Sequence, residues 1–113
     1  MASIEKLGNV FYRVRDMDAA VAFYSQVLGL PLKFRDGERW AAFDVAGVTL
    51  ALEGEAEPGG ATVSLRVQGL DELVVALRQQ GAVVSDPHDG AHERRAELTD
   101  PAGNTLVLYE PRA

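Results

Sequence analysis

The chain has 113 residues, no cysteine, a formal net charge of -6 and a pI near 4.8. These values exclude disulfide bonds and thiolate metal ligands, and they argue against a nucleic-acid-binding surface, which needs clustered basic residues. The lack of a long apolar run, and of signal-peptide features between Met1 and Asn9, predicts a cytoplasmic protein that is neither secreted nor membrane-spanning.

The first half of the chain is predicted to form a strand, a helix and three further strands. Alternation of apolar and polar residues from Leu7 to Val14 predicts the first strand. Asp16 is a candidate helix N-cap, and Gly29 is a candidate for the end of that helix. Turn signals then separate three strands, which are predicted at 32–35, 39–45 and 48–53.

The second half is predicted to repeat this order after a glycine-rich linker at 54–60. A strand at 61–67 and a helix at 70–80 are followed by a short strand at 82–85 and a final hairpin. The loop at 86–91 is longer than its counterpart Asp36-Gly37. Loops of this kind often lie near function, so we expect this one to lie near a binding site.

Two internal alignments support the repeat. Val10–Tyr24 matches Val63–Leu77 at a separation of 53 residues, and Glu38–Gly54 matches the stretch from Glu93 to Glu110 at a separation of 56, with seven identities. Repeated supersecondary units of this length share one core. The chain is therefore predicted to be a single domain, 1–113, made of two modules at 7–54 and 61–110.

The two faces of the predicted strands differ in chemistry. One face is aliphatic in both modules and is expected to form the core beneath the two helices. On the other face, pairing of Thr99 with Thr105 would set Glu97 opposite Val107 and Arg95 opposite Tyr109. The separation of 56 then predicts Arg39 opposite Glu53, and it places Trp40 on the helix side. The polar face is either a solvated surface with ion pairs or the lining of a ligand site.

The paired βαβββ plan, the segment DMDAAVAFYSQVLGL and the segment TDPAGNTLVLYE together resemble the vicinal oxygen chelate superfamily. That superfamily includes glyoxalase I, extradiol dioxygenases, methylmalonyl-CoA epimerase and the bleomycin-resistance proteins. The resemblance implies an α+β fold in which two βαβββ modules form curved mixed sheets with the helices outside. Four-stranded sheets with exposed edges would be covered by a second copy, so a homodimer is expected.

The resemblance also places metal ligands at four strand positions, which are Asn9, Ala51, Thr62 and Val107 in this sequence. Ala51 and Val107 have no donor atom, and two neutral donors are a poor set for a dication, so no metal or other cofactor is expected. The alternative is a shifted metal site built from Glu53, Glu97, His88 and His92. In the contrasting interpretation, these glutamates pair with arginines and the histidines are ordinary loop residues.

A relative without a metal would bind a small molecule rather than transform it. The predicted ligand-binding residues are arginines for a carboxylate or phosphate, aromatic walls and one acid, namely Phe11, Arg13, Arg66, Arg95, Glu97 and Tyr109.

The predicted function is metal-independent binding of an antibiotic-like, aromatic or anionic small molecule. The first alternative is a lyase, isomerase or dioxygenase-like enzyme of the same superfamily, with a shifted metal site or with Glu97 as general base and Tyr109 as an acid or base. The second alternative is a scaffolding or regulatory dimer.

Overall fold

The computed structural model describes residues 2–55, 57 and 59–112, and the chain divides into two compact units. The first unit is residues 9–61, and the second unit is residues 62–113 together with residues 1–8. Of the predicted linker at 54–60, residues 56 and 58 lie outside the described residues. No helix in the described part of the chain is long and apolar enough to cross a membrane.

The first unit contains a mixed sheet and a short helix. Its elements are β1 (Ser3–Val14, which begins in the second unit), α1 (Met17–Ala22) with a π-helical turn (Phe23–Val27), β2 (Leu32–Asp36), β3 (Trp40–Val45) and β4 (Val48–Gly54). The strands follow the order β2, β3, β4, β1, and only the pairing of β4 with β1 is parallel.

The second unit repeats this arrangement. Its elements are β5 (Gly59–Gln68, which begins in the first unit), α2 (Leu70–Gln79), β6 (His88–Asp89), β7 (Glu93–Thr99) and β8 (Thr105–Pro111). The order is β5, β8, β7, β6, with β5 and β8 parallel. The short strand predicted at 82–85 is wrong, because that segment makes only a single bridge from Val84 to Leu98 and the short strand forms at His88–Asp89 instead.

Both helices begin at a carboxylate. Asp16 caps α1 as predicted, since its side chain accepts a hydrogen bond of 3.0 Å from the backbone N–H of Ala19. The cap of α2 comes from a distant strand. Glu110 accepts hydrogen bonds from the N–H groups of Gly69, at 2.8 Å, and Leu70, at 3.3 Å. The negative charge of Glu110 therefore ties β8 to the positive end of α2.

The aliphatic core face predicted from the sequence forms in both units. Each helix packs on one face of its own sheet, and the buried residues of the two clusters are Met17, Val21, Ala41, Phe43 and Leu52 in the first unit, and Val67, Leu70, Val74, Val84, Ala96 and Leu108 in the second.

The two hairpins differ in turn length. This difference changes which residues of the strand before the turn, β3 or β7, lie on a given face of the sheet. In the first unit Val45 pairs with Val48 across a two-residue turn, whereas in the second unit Thr99 pairs with Thr105 across the turn 100–104. The Asp100 side chain holds the longer turn by accepting hydrogen bonds from Ala102 and Asn104. Relative to the outgoing strand, β3 and β7 are therefore offset by one residue.

This offset overturns two predictions. Glu53 pairs with Trp40, not with Arg39, whose side chain instead lies 3.1 Å from Asp36. A shift of one residue moves a side chain to the other face of a sheet. Trp40 therefore lies on the face away from the helix, where its ring contacts that of Phe11 with the two centroids 5.6 Å apart.

Candidate functional site

A row of polar side chains crosses the sheet of the second unit on the face opposite α2. Arg66 on β5 pairs with Tyr109 on β8, Tyr109 pairs with Arg95 on β7, and Arg95 pairs with His88 on β6. Neighbouring strands lie about 4.8 Å apart, and paired residues share a face. The four side chains therefore form one row about 15 Å long.

The neighbouring row of the same face carries Ser64, Val107 and Glu97 in register across β5, β8 and β7. The predicted pairs of Glu97 with Val107 and Arg95 with Tyr109 are thereby confirmed. Ser64 is buried, as is Thr62 two residues earlier on its strand. Together the two rows give the second unit a face of hydroxyl, guanidinium and carboxylate groups.

Both arginines of the row have carboxylates nearby but keep unused donors. Nε of Arg66 lies 3.4 Å from Oε1 of Glu5, and Nε of Arg95 lies 3.3 Å from Oε1 of Glu97. Neither contact is a hydrogen bond, and both Nε atoms are buried without a hydrogen-bond partner in the described part of the chain. The charges are therefore compensated, while the two Nε–H groups are left without a hydrogen-bond acceptor in the described part of the chain.

Tyr109 stands between these arginines and lies over the backbone of β1. A Cβ added at Gly8 would overlap the Tyr109 hydroxyl, so a glycine is needed beneath the ring. Burial raises the pKa of Tyr109, Glu93 and Glu5 raise it further, and Arg66 opposes them. At neutral pH the phenol therefore keeps its proton and offers a hydrogen-bond donor.

Glu97 is held by two donors from the segment before β7. Nε2 of His88 lies 3.1 and 3.0 Å from the two carboxylate oxygens, and Oγ of Ser85 donates to Oε2 at 3.0 Å. Burial raises the pKa of Glu97, but the hydrogen bonds from His88 and Ser85 and the charge of Arg95 outweigh burial and lower it. A carboxylate with a lowered pKa is a weak general base.

The structure brings four of the predicted ligand-binding residues together in the second unit, namely Arg66, Arg95, Glu97 and Tyr109. The other two, Phe11 and Arg13, belong to the first unit. Phe11 is buried against Trp40 there, and the Arg13 guanidinium lies against Gly59.

Sequence reasoning missed Glu5, Gly8 and Ser85. Glu5 precedes the predicted start of the first strand, whereas β1 begins at Ser3. The sequence predicts Ser85 only as the end of a short strand. The enlarged loop that follows Ser85 was the available signal, and His88 within it does reach Glu97.

The positions at which the family resemblance places a metal do not provide a metal-binding donor set. In the first unit Ala51 is fully buried and has only a methyl group, while Asn9 contributes one amide oxygen, which is buried without a hydrogen-bond partner in residues 2–55, 57 and 59–112. In the second unit Val107 is a buried hydrocarbon and Thr62 contributes one neutral hydroxyl. One neutral oxygen per unit does not fit a dication.

The residues of the alternative metal site do not form a metal-binding cluster in the described part of the chain. Glu53 lies on β4 of the first unit, and His88 contacts Glu97 in the second. The carbonyl oxygen of His92 accepts a hydrogen bond from the N–H of Arg112. Among the residues that the structure describes, no three or more His, Cys, Asp or Glu side chains are placed to hold a metal ion.

Residues 9–109 match the family model of the glyoxalase-like domain. The chain belongs to this family. This glyoxalase-like chain is 39% identical over 106 residues to an uncharacterized protein of Mycolicibacterium smegmatis, and the match covers 90% of each chain. The resemblance stated from the sequence is therefore confirmed.

Solved structures share the glyoxalase-like fold at low identity. A glyoxalase/bleomycin resistance protein/dioxygenase superfamily member from Vibrio splendidus 12B01 has a TM-score of 0.74 at 16% identity, covering 96% of this chain and 99% of its own. Methylmalonyl-CoA epimerase from Mycobacterium tuberculosis has a TM-score of 0.77 at 23% identity, covering 97% and 90%. These similarities confirm the α+β glyoxalase/bleomycin-resistance fold.

Proposed function

We propose that this glyoxalase-like chain binds a small molecule through an anionic or carbonyl oxygen, without a metal ion, on the polar face of the second unit. One observation carries the proposal. The buried Nε atoms of Arg66 and Arg95 have no hydrogen-bond partner in the described chain, and the two arginines lie on the strands on either side of Tyr109, whose raised pKa keeps its hydroxyl protonated. Buried donors without partners are costly, and a ligand oxygen would satisfy them.

The local charge favours a monoanion over a dianion. Two guanidinium groups, of Arg66 and Arg95, stand beside three carboxylates, of Glu5, Glu93 and Glu97. A phosphate dianion would meet stronger repulsion from these carboxylates than a single carboxylate would. Of these two kinds of anion, we therefore expect a carboxylate, on a ligand with an aromatic part that can lie against the Tyr109 ring, to bind better than a phosphate.

The test is isothermal titration calorimetry on protein treated with EDTA, using benzoate and phenylacetate with their neutral amides as matched probes. The acids are expected to bind about tenfold more tightly than the amides, because hydrogen bonds to a charged partner are the stronger ones. Replacing Arg66→Gln or Arg95→Gln is expected to weaken acid binding by about tenfold.

Arg39→Gln is the matched control. Arg39 is exposed and pairs with Asp36 in the first unit, so its loss should leave the affinity unchanged. Equal affinity for acids and amides would contradict the proposal, and so would an affinity for the acids that neither Arg66→Gln nor Arg95→Gln changes. Turnover of a probe only after addition of a divalent metal would favour the enzyme alternative.

A further inference from the structure

The Glu97 carboxylate competes with any ligand anion for the donors of Arg95, because Glu97 lies two residues away on the same strand. Such a pair would ordinarily form a direct hydrogen bond, which would consume the donors of Arg95. Here the distance from Arg95 Nε to Glu97 Oε1 is 3.3 Å, yet Nε makes no hydrogen bond. The carboxylate instead accepts from His88 and Ser85.

We infer that Ser85 and His88 are positioning residues that hold the Glu97 carboxylate where it does not hydrogen-bond to Arg95 Nε, and so leave that donor to the ligand. The inference rests on the proposed function of the polar face. It assigns a role in ligand affinity to two residues that do not themselves contact the ligand.

Ser85 is fixed tightly enough for this role. Its hydroxyl accepts a hydrogen bond of 2.8 Å from the Glu97 N–H and donates one of 3.0 Å to the Glu97 carboxylate. Its own N–H donates to the Glu97 carbonyl at 2.9 Å, and the adjacent Val84 bridges to Leu98. A side chain held through both the backbone and the hydroxyl sets the direction of its partner at little further cost in entropy.

His88 acts from the other side of the same carboxylate. It pairs with Arg95 across β6 and β7, so its ring lies next to Arg95 on one face, and Nε2 reaches both oxygens of Glu97. With the carboxylate held by these two donors, its Oε1 lies 3.3 Å from Arg95 Nε without accepting a hydrogen bond from it. Both come from the segment 85–88, which includes part of the loop that outgrows the internal repeat.

The experiment is a double-mutant cycle read by titration with benzoate. Ser85→Ala is expected to weaken binding about fivefold, because Glu97 is then free to turn onto Arg95. Glu97→Gln removes the competing charge and is expected to bind benzoate more tightly than the natural chain. The double variant should then match Glu97→Gln, and Ser85→Thr should restore the natural affinity.

A purely structural role for Ser85 predicts a different outcome, in which the double variant binds as weakly as Ser85→Ala. That result would overturn the inference. A second cycle replaces Ser85→Ala with His88→Asn, which is also expected to weaken benzoate binding and to have no effect in the Glu97→Gln background. This cycle tests the inference if Ser85→Ala fails to fold.

A readout without ligand separates this inference from the proposed function. In ¹⁵N NMR spectra, Ser85→Ala should shift the Arg95 Nε–H signal relative to the natural chain, because Glu97 then hydrogen-bonds to Arg95. In the Glu97→Gln background, adding Ser85→Ala should leave that signal where it is in Glu97→Gln alone. If no acid binds the natural chain, the proposed function fails, and this signal still decides whether Ser85 positions Glu97. An Arg95 signal that is identical in all four proteins would refute the positioning role.

Discussion

The two units share one backbone plan but carry different side chains on the face away from the helix. At three positions in register, the first unit has an aromatic residue, an acid and an arginine, whereas the second has two arginines around a tyrosine; these are Trp40, Glu53 and Arg13 against Arg95, Tyr109 and Arg66. In the next row Ala42, Ala51 and Phe11 stand where the second unit has Glu97, Val107 and Ser64.

The comparison shows that the internal repeat is kept in the core faces of the two units and lost on the opposite faces. The core faces are alike, with Leu52 and Leu108 buried at equivalent positions. The opposite faces differ because each side chain there is free of the helix contact that the core requires, and because the one-residue offset between the hairpins changes which residues of β3 and β7 share a face. The Nε donors of Arg66 and Arg95, which have no hydrogen-bond partner in the described chain, belong to the second unit. We therefore expect the ligand to bind the second unit.

The largest expected effect tests whether the two cores are equivalent. Leu52→Ala and Leu108→Ala each remove a fully or nearly fully buried side chain, and each should lower the free energy of unfolding by about 2–5 kcal/mol. Urea denaturation provides the measurement, with the exposed Val83→Ala as a control expected to change little. A loss in only one of the two leucine variants would break the equivalence.

The next effect distinguishes the two glycines that lie beneath candidate site residues. Gly8→Ala would push a Cβ into the Tyr109 ring, whereas the atoms nearest to a Cβ at Gly59 belong to the flexible end of Arg13. Overpacking against a stiff ring costs about 1–3 kcal/mol, so Gly8→Ala should be clearly less stable than Gly59→Ala. In a Tyr109→Ala background the cost of Gly8→Ala should largely vanish, and persistence of that cost would show that the ring is not its cause.

A smaller effect concerns the turn that sets the offset between the hairpins. Ala46 has a φ of 52°, a left-handed conformation that disfavours side chains. Ala46→Gly should therefore raise the free energy of unfolding by about 0.5–1 kcal/mol. Ala102→Gly, in the longer turn of the second unit at a residue whose φ is not positive, should lower it instead. Thermal unfolding of the pair checks the contrast, and a loss of stability in Ala46→Gly would contradict it.

The smallest effect is the acid sensitivity of the second unit. The pKa of Glu97 is lowered in the folded chain, so its contribution to stability is present above its ordinary pKa of 4.5 and is lost as the pH falls through the folded value. Because Glu97 is about one-third exposed, the contribution should be about a few tenths of a kcal/mol. Glu97→Gln should flatten the fall in stability on acidification, which unfolding curves from pH 3 to 7 would measure.

Much of the fold was predictable because periodicity and turn residues report directly on local structure. The N-cap at Asp16, the core faces and the second hairpin register follow from such patterns, and the structure confirms them. The register of the first hairpin was not predictable from the repeat. Most of the seven identities lie in the turn and on the strand that follows it. Identical residues at those places do not show how many residues the turn contains, and the length of the turn sets the register.

The polar face was partly predictable. Arginine and tyrosine positions on alternating strands gave the row of Arg66, Tyr109 and Arg95. The contacts of Ser85 and His88 with Glu97 could not be read from the sequence, because the two-residue strand β6 has no periodicity and the segment before it has only one bridge. Those contacts depend on how a loop lies on the sheet, which is a tertiary property.

The most direct test is an NMR titration of EDTA-treated, ¹⁵N-labelled protein with benzoate. The signals of the Arg66 and Arg95 Nε–H groups and of the backbone around Tyr109 should move in a saturable way, while the Trp40 indole of the first unit should not. Shifts confined to the Trp40 indole and the other residues of the first unit, or shifts that require an added divalent metal, would contradict metal-independent binding on the second unit.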